Sequence, residues 1–228
     1  MPTLYGNGMK EILALLNKEI TLEWRNKYAF NGMILYLVST VFICFLSFRV
    51  KTDSLNPIVW NTLFWIILLF TAINAIAKSF SQEHRNRQLY YYTLASPEAT
   101  IVSKLIYNFI LMLLLAFIGF TIYALLLGNP VSDITLYLIS ILLGATGFTG
   151  TLTLVAGIAA KAENAGSLMA LLSFPIIIPM LLMLMRLSKN AMDGLTWSVS
   201  KDEIITLLAL DGIVVALSVI LFPYLWRS

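Results

Sequence analysis

Charge is what this sequence has least of. Lysine, arginine, aspartate and glutamate make up 12% of its 228 residues, fifteen basic and twelve acidic, about half the share usual in soluble globular domains. That is too little to clothe a water-facing surface. With 59% hydrophobic residues, a soluble monomer would expose more apolar area than solubility tolerates. Histidine and cysteine are scarcer still, one of each. Cys44 has no second thiol with which to close an internal disulfide, and His84 does not supply a His/Cys metal centre. A Gly-x-x-x-x-Gly-Lys-Ser/Thr phosphate loop, a His-Glu-x-x-His pair and a Gly-x-Ser-x-Gly elbow are all missing. The chain therefore offers no catalytic residues and is not expected to hydrolyse ATP itself. Its net charge of +3 lies scattered between apolar runs instead of forming a patch, which argues against nucleic acid as a partner.

Long apolar runs are what the chain does have. A bilayer core about 30 Å thick needs roughly 20 apolar residues in a helix. Six runs meet that need: Phe30 to Phe48, Ile58 to Ala77, Leu105 to Leu127, Ile134 to Ala160, Leu168 to Met185 and Ile204 to Trp226. They take up more than half of the chain and leave no room for a separate soluble domain. The expected fold is all-α, a single transmembrane domain over residues 1–228 with six spans in a lipid bilayer. The fourth run exceeds the slab and implies tilt or an extension beyond it. Counting Lys and Arg on alternate sides puts ten with the two termini and five opposite, so both termini are expected in the cytoplasm. The first run starts near residue 30 without a small-x-small cleavage site after it, which reads as mature sequence instead of a signal peptide.

Between the spans, residues 8–27 are too charged to cross. Leu13, Leu16, Ile20 and Trp24 form one helical stripe, with Glu11, Lys18, Glu19 and Arg25 opposite. That pattern predicts an amphipathic helix lying in the interface, its stripe among acyl chains and its charges in water. The segment from Lys78 to Lys104 is the longest connection and carries Glu83, His84, Arg85 and Arg87, then Tyr90, Tyr91 and Tyr92. Ser96, Pro97 and Glu98 read as a helix start, so one short helix is expected before it. In the fourth span Ala145, Thr149, Thr153 and Gly157 recur every four residues, with Gly144, Gly147 and Gly150 nearby, a seam suited to close packing within the bundle. The turn from Lys161 to Ser167 offers Glu163, Asn164 and Gly166 as a second contact for a cytoplasmic subunit. Pro175 and Pro179 are predicted to kink or break the fifth span, and a hinge there is the functional reading. Asp211 is an acid inside the sixth span with no basic residue in the other spans to meet it. Hydration near the outer face or a partner from another subunit would relieve it.

Ser-Phe-Ser-Gln-Glu from Ser79 to Glu83, Leu94-Ala95-Ser96-Pro97 followed by Lys104, the small-residue fourth span, and Phe174-Pro175 through Pro179 together resemble the CcmB family over residues 9 to 226. The family's usual glycine and acid after Glu83 are replaced here by Arg85, Arg87 and the tyrosines. The resemblance implies an ABC-2-like permease subunit for cytochrome c maturation in the bacterial inner membrane. It further implies a CcmA-type cytoplasmic ATPase, a CcmC-type haem-handling membrane protein and, through the complex, a CcmE-type haem chaperone. Haem and ATP would be handled by those partners, with no cofactor bound directly. Glu83, Ser96, Pro97, Lys104, Pro175 and Pro179 carry over as motif matches. With Arg85 and Arg87 added, Glu83 to Lys104 becomes the expected ATPase-coupling loop. Six spans form at most half of an ordinary ABC pathway, so a second membrane subunit is expected. The alternatives are an ABC-2-type exporter subunit for a lipid, drug or glycan, and a proton-coupled carrier centred on Asp211.

Overall fold

The computed structural model describes residues 8–25, 27–49, 55–81, 96–159 and 165–227. Those residues form seven α-helices and no strand: α1 (Gly8–Arg25), α2 (Lys27–Arg49), α3 (Pro57–Ser81), α4 (Pro97–Leu127), α5 (Ile134–Ala159), α6 (Ala165–Met192) and α7 (Lys201–Arg227). All but α1 are long and apolar enough to cross a membrane, which makes this an all-α membrane bundle. Local signals set the ends. Asn56 accepts the Ile58 N–H at 2.9 Å ahead of Pro57, and Asp133 accepts the Leu136 N–H at 3.0 Å, each satisfying an orphan donor of a first turn. α4 stops at Gly128, whose φ of 82° is a conformation only glycine adopts cheaply.

α5 sits at the centre and packs on α3, α4, α6 and α7. Its small residues explain the position, because they let neighbouring side chains reach the helix backbone. The ring of Trp65 lies over Gly144, Met180 and Asp211 lie over Gly147, Val214 and Val215 over Gly150, and Phe222 over Gly157. The seam is used inside the bundle. Toward the end away from α1, the space among α3, α4 and α5 is filled by Trp60, Phe64, Trp65, Tyr123, Tyr137 and Phe148, each at most 1% exposed. Their polar tips are satisfied, as buried Trp and Tyr require. Trp60 donates to the Gly128 carbonyl at 3.0 Å, Trp65 to Ser188 Oγ at 2.8 Å and Tyr123 to the Trp60 carbonyl at 3.0 Å. Tyr137 donates to Asn61 Oδ1 at 3.3 Å, and Asn61 in turn donates to the Met185 carbonyl at 3.0 Å.

Two expectations are refined and one changes. The helix over residues 165–192 is not broken at Pro175 or Pro179, and both prolines are exposed on its outer side instead of protein-lined. Proline removes one backbone bond and crowds the carbonyl four residues before it, yet lipid offers the remaining backbone groups no other partner, so the helix runs on. α4 begins at Pro97, eight residues before the apolar run read from hydropathy, and α3 continues to Ser81. At 1.5 Å per residue the 31 residues of α4 span about 46 Å, well beyond a bilayer core. Their surplus turns lie at the α1 end. Finally, α1 does not keep all its charges in solvent: Glu19 is only 8% exposed.

Candidate functional site

α1 runs parallel to the start of α4, and three of its carboxylates lock the two together. Glu11, Glu19 and Glu23 follow one another along α1, at spacings of eight and four residues. Those spacings advance by about 80° and 40° around a 3.6-residue helix, so the three carboxylates spread over about a third of its circumference. At the first rung the Ser96 N–H donates to Glu11 Oε1, and its hydroxyl to Glu11 Oε2 at 3.2 Å. Ser96 also caps α4, accepting the Ala99 N–H at 3.3 Å. In a capping box the third helical residue would return a carboxylate to the cap's own N–H. That residue is Ala99, so Glu11 supplies the carboxylate from another helix. Glu11→Ala therefore removes a charge-assisted bond from a helix start and should lower stability by about 1–2 kcal/mol. Glu11→Gln should lose less, measurable by thermal unfolding in detergent; equal losses would mean the charge plays no part.

The second rung is the most buried. Lys104 is 2% exposed. Its Nζ lies 3.3 Å from Glu19 Oε1, 3.3 Å from the Ser79 carbonyl at the end of α3, and 4.8 Å from the centre of the Phe80 ring. Glu19 also pairs with Lys18 at 3.1 Å. An ammonium is tolerable out of water only where acceptors surround it, and this pocket collects them from two helices. At the third rung Tyr107 donates to Glu23 Oε2 at 3.0 Å. Burial pushes the Glu23 carboxyl above its ordinary range; the Tyr107 bond and the field of Lys78 pull it back, and Glu19 adds slightly to the rise. The outer face of α1 stays apolar and open, with Leu13 and Ile20 both exposed.

The residues singled out from sequence separate into three groups. Ser96 and Pro97 stand at the α4 cap, and Lys104 joins them through α1. Lys104 is thus a buried clasp residue within α4, not part of an exposed loop surface. Glu83, Arg85 and Arg87, with His84, the three tyrosines and the expected short helix, lie outside the described residues, as do Glu163 and Asn164. Pro175 and Pro179 lie apart from the clasp, on α6. Asp211 is 4% exposed, deep among α5, α6 and α7. A side-chain carbon at Gly147 would stand 2.5 Å from its Oδ1, so that glycine makes the room the carboxylate occupies. Neither oxygen has a hydrogen-bond partner among the described residues. The acid is enclosed by its own chain.

Glu11, Glu19, Glu23, Ser79 and Tyr107 are site residues that helical projection missed. A signal was present: an isolated lysine seven residues into an apolar helix needs an acid, and one amphipathic helix carries three. No group of three or more potential metal ligands occurs among the described residues. No curated protein matches the chain. The model of the CcmB protein family matches residues 10–225, running from just before Glu11 through the last turns of α7. With six membrane-length helices over the same extent, this chain belongs to the CcmB family, the membrane permease subunits of the cytochrome c maturation ABC transporter.

Proposed function

We propose that this subunit receives the stroke of a CcmA-type ATPase at its α1 end and passes it to the bundle. ATP hydrolysis in the partner then drives release of the haem-loaded CcmE-type chaperone. One observation carries the reading: both stems of the segment 82–95 are tied to α1, the α3 stem through Ser79, Lys104 and Glu19, the α4 stem through Ser96 and Glu11. A force applied between those stems reaches α1, α3 and α4 together, because no stem can shift without straining a buried ion pair. The aromatic block farther along α3, α4 and α5 is close-packed and moves as a body. That favours transmission of movement over passage of a ligand through this part of the fold. Haem and ATP stay with partner subunits, among them a CcmC-type membrane protein, and the α1 end faces the cytoplasm across the bacterial inner membrane, with both termini on that side.

Reversing the charges of Glu83, Arg85 and Arg87 together should abolish co-purification of the ATPase while leaving the subunit in the membrane. Undiminished co-purification overturns the proposal. In the same membranes Asp211→Asn should leave ATP-dependent haem-chaperone release intact, whereas a proton-coupled carrier would lose all activity.

A further inference from the structure

Beside the third rung of the clasp lies a groove of about 380 Å³ lined by Ile20, Glu23, Phe30, Tyr107, Ile110 and Leu114, among others. Its lining is almost wholly apolar, and its head is the end where Glu23 meets Tyr107; Asn31 also lines it. From Tyr107 the wall follows α4 through Ile110 to Leu114, about 10 Å at the helical rise. Ile20, Ile110 and Leu114 are 45%, 49% and 42% exposed, on the outside of a bundle whose surrounding solvent is lipid. The head presents acceptors. Tyr107 already spends its hydroxyl proton on Glu23 Oε2, and Glu23 Oε1 is shut off from solvent with no hydrogen-bond partner. The terminal torsion of a glutamate is soft, so a small turn brings that oxygen to the groove. A carboxylate short of a donor, at the mouth of an acyl-sized apolar slot, matches a cationic headgroup that carries N–H bonds.

We propose that this groove binds a phospholipid with a primary-ammonium headgroup, the ammonium on Glu23 and one acyl chain along α4 from Tyr107 to Leu114. A headgroup without N–H bonds finds no such complement there, since the one charged residue in the groove's described lining is Glu23. The site lies on the helix that clasps both stems of the 82–95 segment, so the lipid would brace α1 against α2 and α4. Nothing in its recognition depends on ATPase coupling.

The test uses the full-length chain purified in detergent and offered phosphatidylethanolamine, phosphatidylcholine and phosphatidylglycerol in turn. Retained lipid is read by native mass spectrometry. Phosphatidylethanolamine should be retained in excess of the other two, and Glu23→Gln should cut that excess about tenfold, the weight of one hydrogen bond to a charged group. Tyr107→Phe keeps the carboxylate and should keep the preference. Leu114→Trp fills the groove from its exposed side and should lower retention of all three lipids. Equal retention of the three by the native chain, or an unchanged preference in Glu23→Gln, overturns the proposal. So does loss of the bound lipid when the other membrane subunit assembles, because the groove would then be a protein interface.

Discussion

Glu19→Ala destabilises the protein by about 3–5 kcal/mol, the usual cost of breaking a buried ion pair from one side. The substitution removes a carboxylate facing an ammonium that is 2% exposed, and neither the Ser79 carbonyl nor the Phe80 ring beside it carries a full charge. Lys104→Met is expected to cost less for a specific reason. It keeps the length of the apolar stem, and Glu19 retains Lys18 at 3.1 Å. Glu19→Leu combined with Lys104→Met should recover most of the loss, since two apolar groups of similar size leave no charge to solvate. Unfolding in detergent followed by tryptophan fluorescence reads all three. A Glu19→Ala effect within about 0.5 kcal/mol, the scale of ordinary surface changes, would place the pair in solvent and dissolve the clasp. The functional consequence goes with it: a variant that loosens Lys104 from Ser79 separates the two stems that the proposed stroke must move together.

Gly144→Ala comes next in size, with an expected loss of about 3 kcal/mol, at the upper end for one surplus methyl in a packed core. The new carbon would stand 2.5 Å and 2.8 Å from two ring atoms of Trp65 and 3.3 Å from Leu184 Cδ1. Trp65 has no easy retreat: it is fully buried, its indole N–H is bonded to Ser188, and Phe64 and Phe148 pack against it in T-shaped pairs. Gly150→Ala should cost less, because its nearest neighbours are valine methyls at 3.2 Å and 3.3 Å. Gly32→Ala meets nothing within 4 Å and should gain about 0.5–1 kcal/mol from reduced backbone freedom in the unfolded chain. Equal effects at all three would mean that helix propensity, not contact with Trp65, decides the outcome.

The two variants probe different halves of one device. The clasp holds the α1 end through charges whose partners are fixed, and the aromatic block holds the far end through shape. A small displacement at α1 is carried along α3 and α4, which belong to both regions, and close packing leaves those helices little room to absorb it locally.

Six spans, an all-α bundle and an amphipathic first helix were legible from residue order alone. Each is a demand that lipid makes on one segment at a time: enough apolar length to cross, every backbone bond closed within the helix, one face polar where water begins. The cap at Ser96 was legible too, being local chemistry over four residues. For the prolines in α6 a lost backbone bond is certain from sequence, while the continuity of the helix past them is seen only in the fold. Partners of polar groups were beyond reach for the same reason. Helical projection put Glu19 on a solvated face, and only the fold brings Lys104 against it from 85 residues away. Asp211 likewise became an enclosed acid through Gly147, a residue on another helix. Pairing of charges and the filling of voids are properties of surfaces that meet, and no periodicity within either helix records which surface will be opposite.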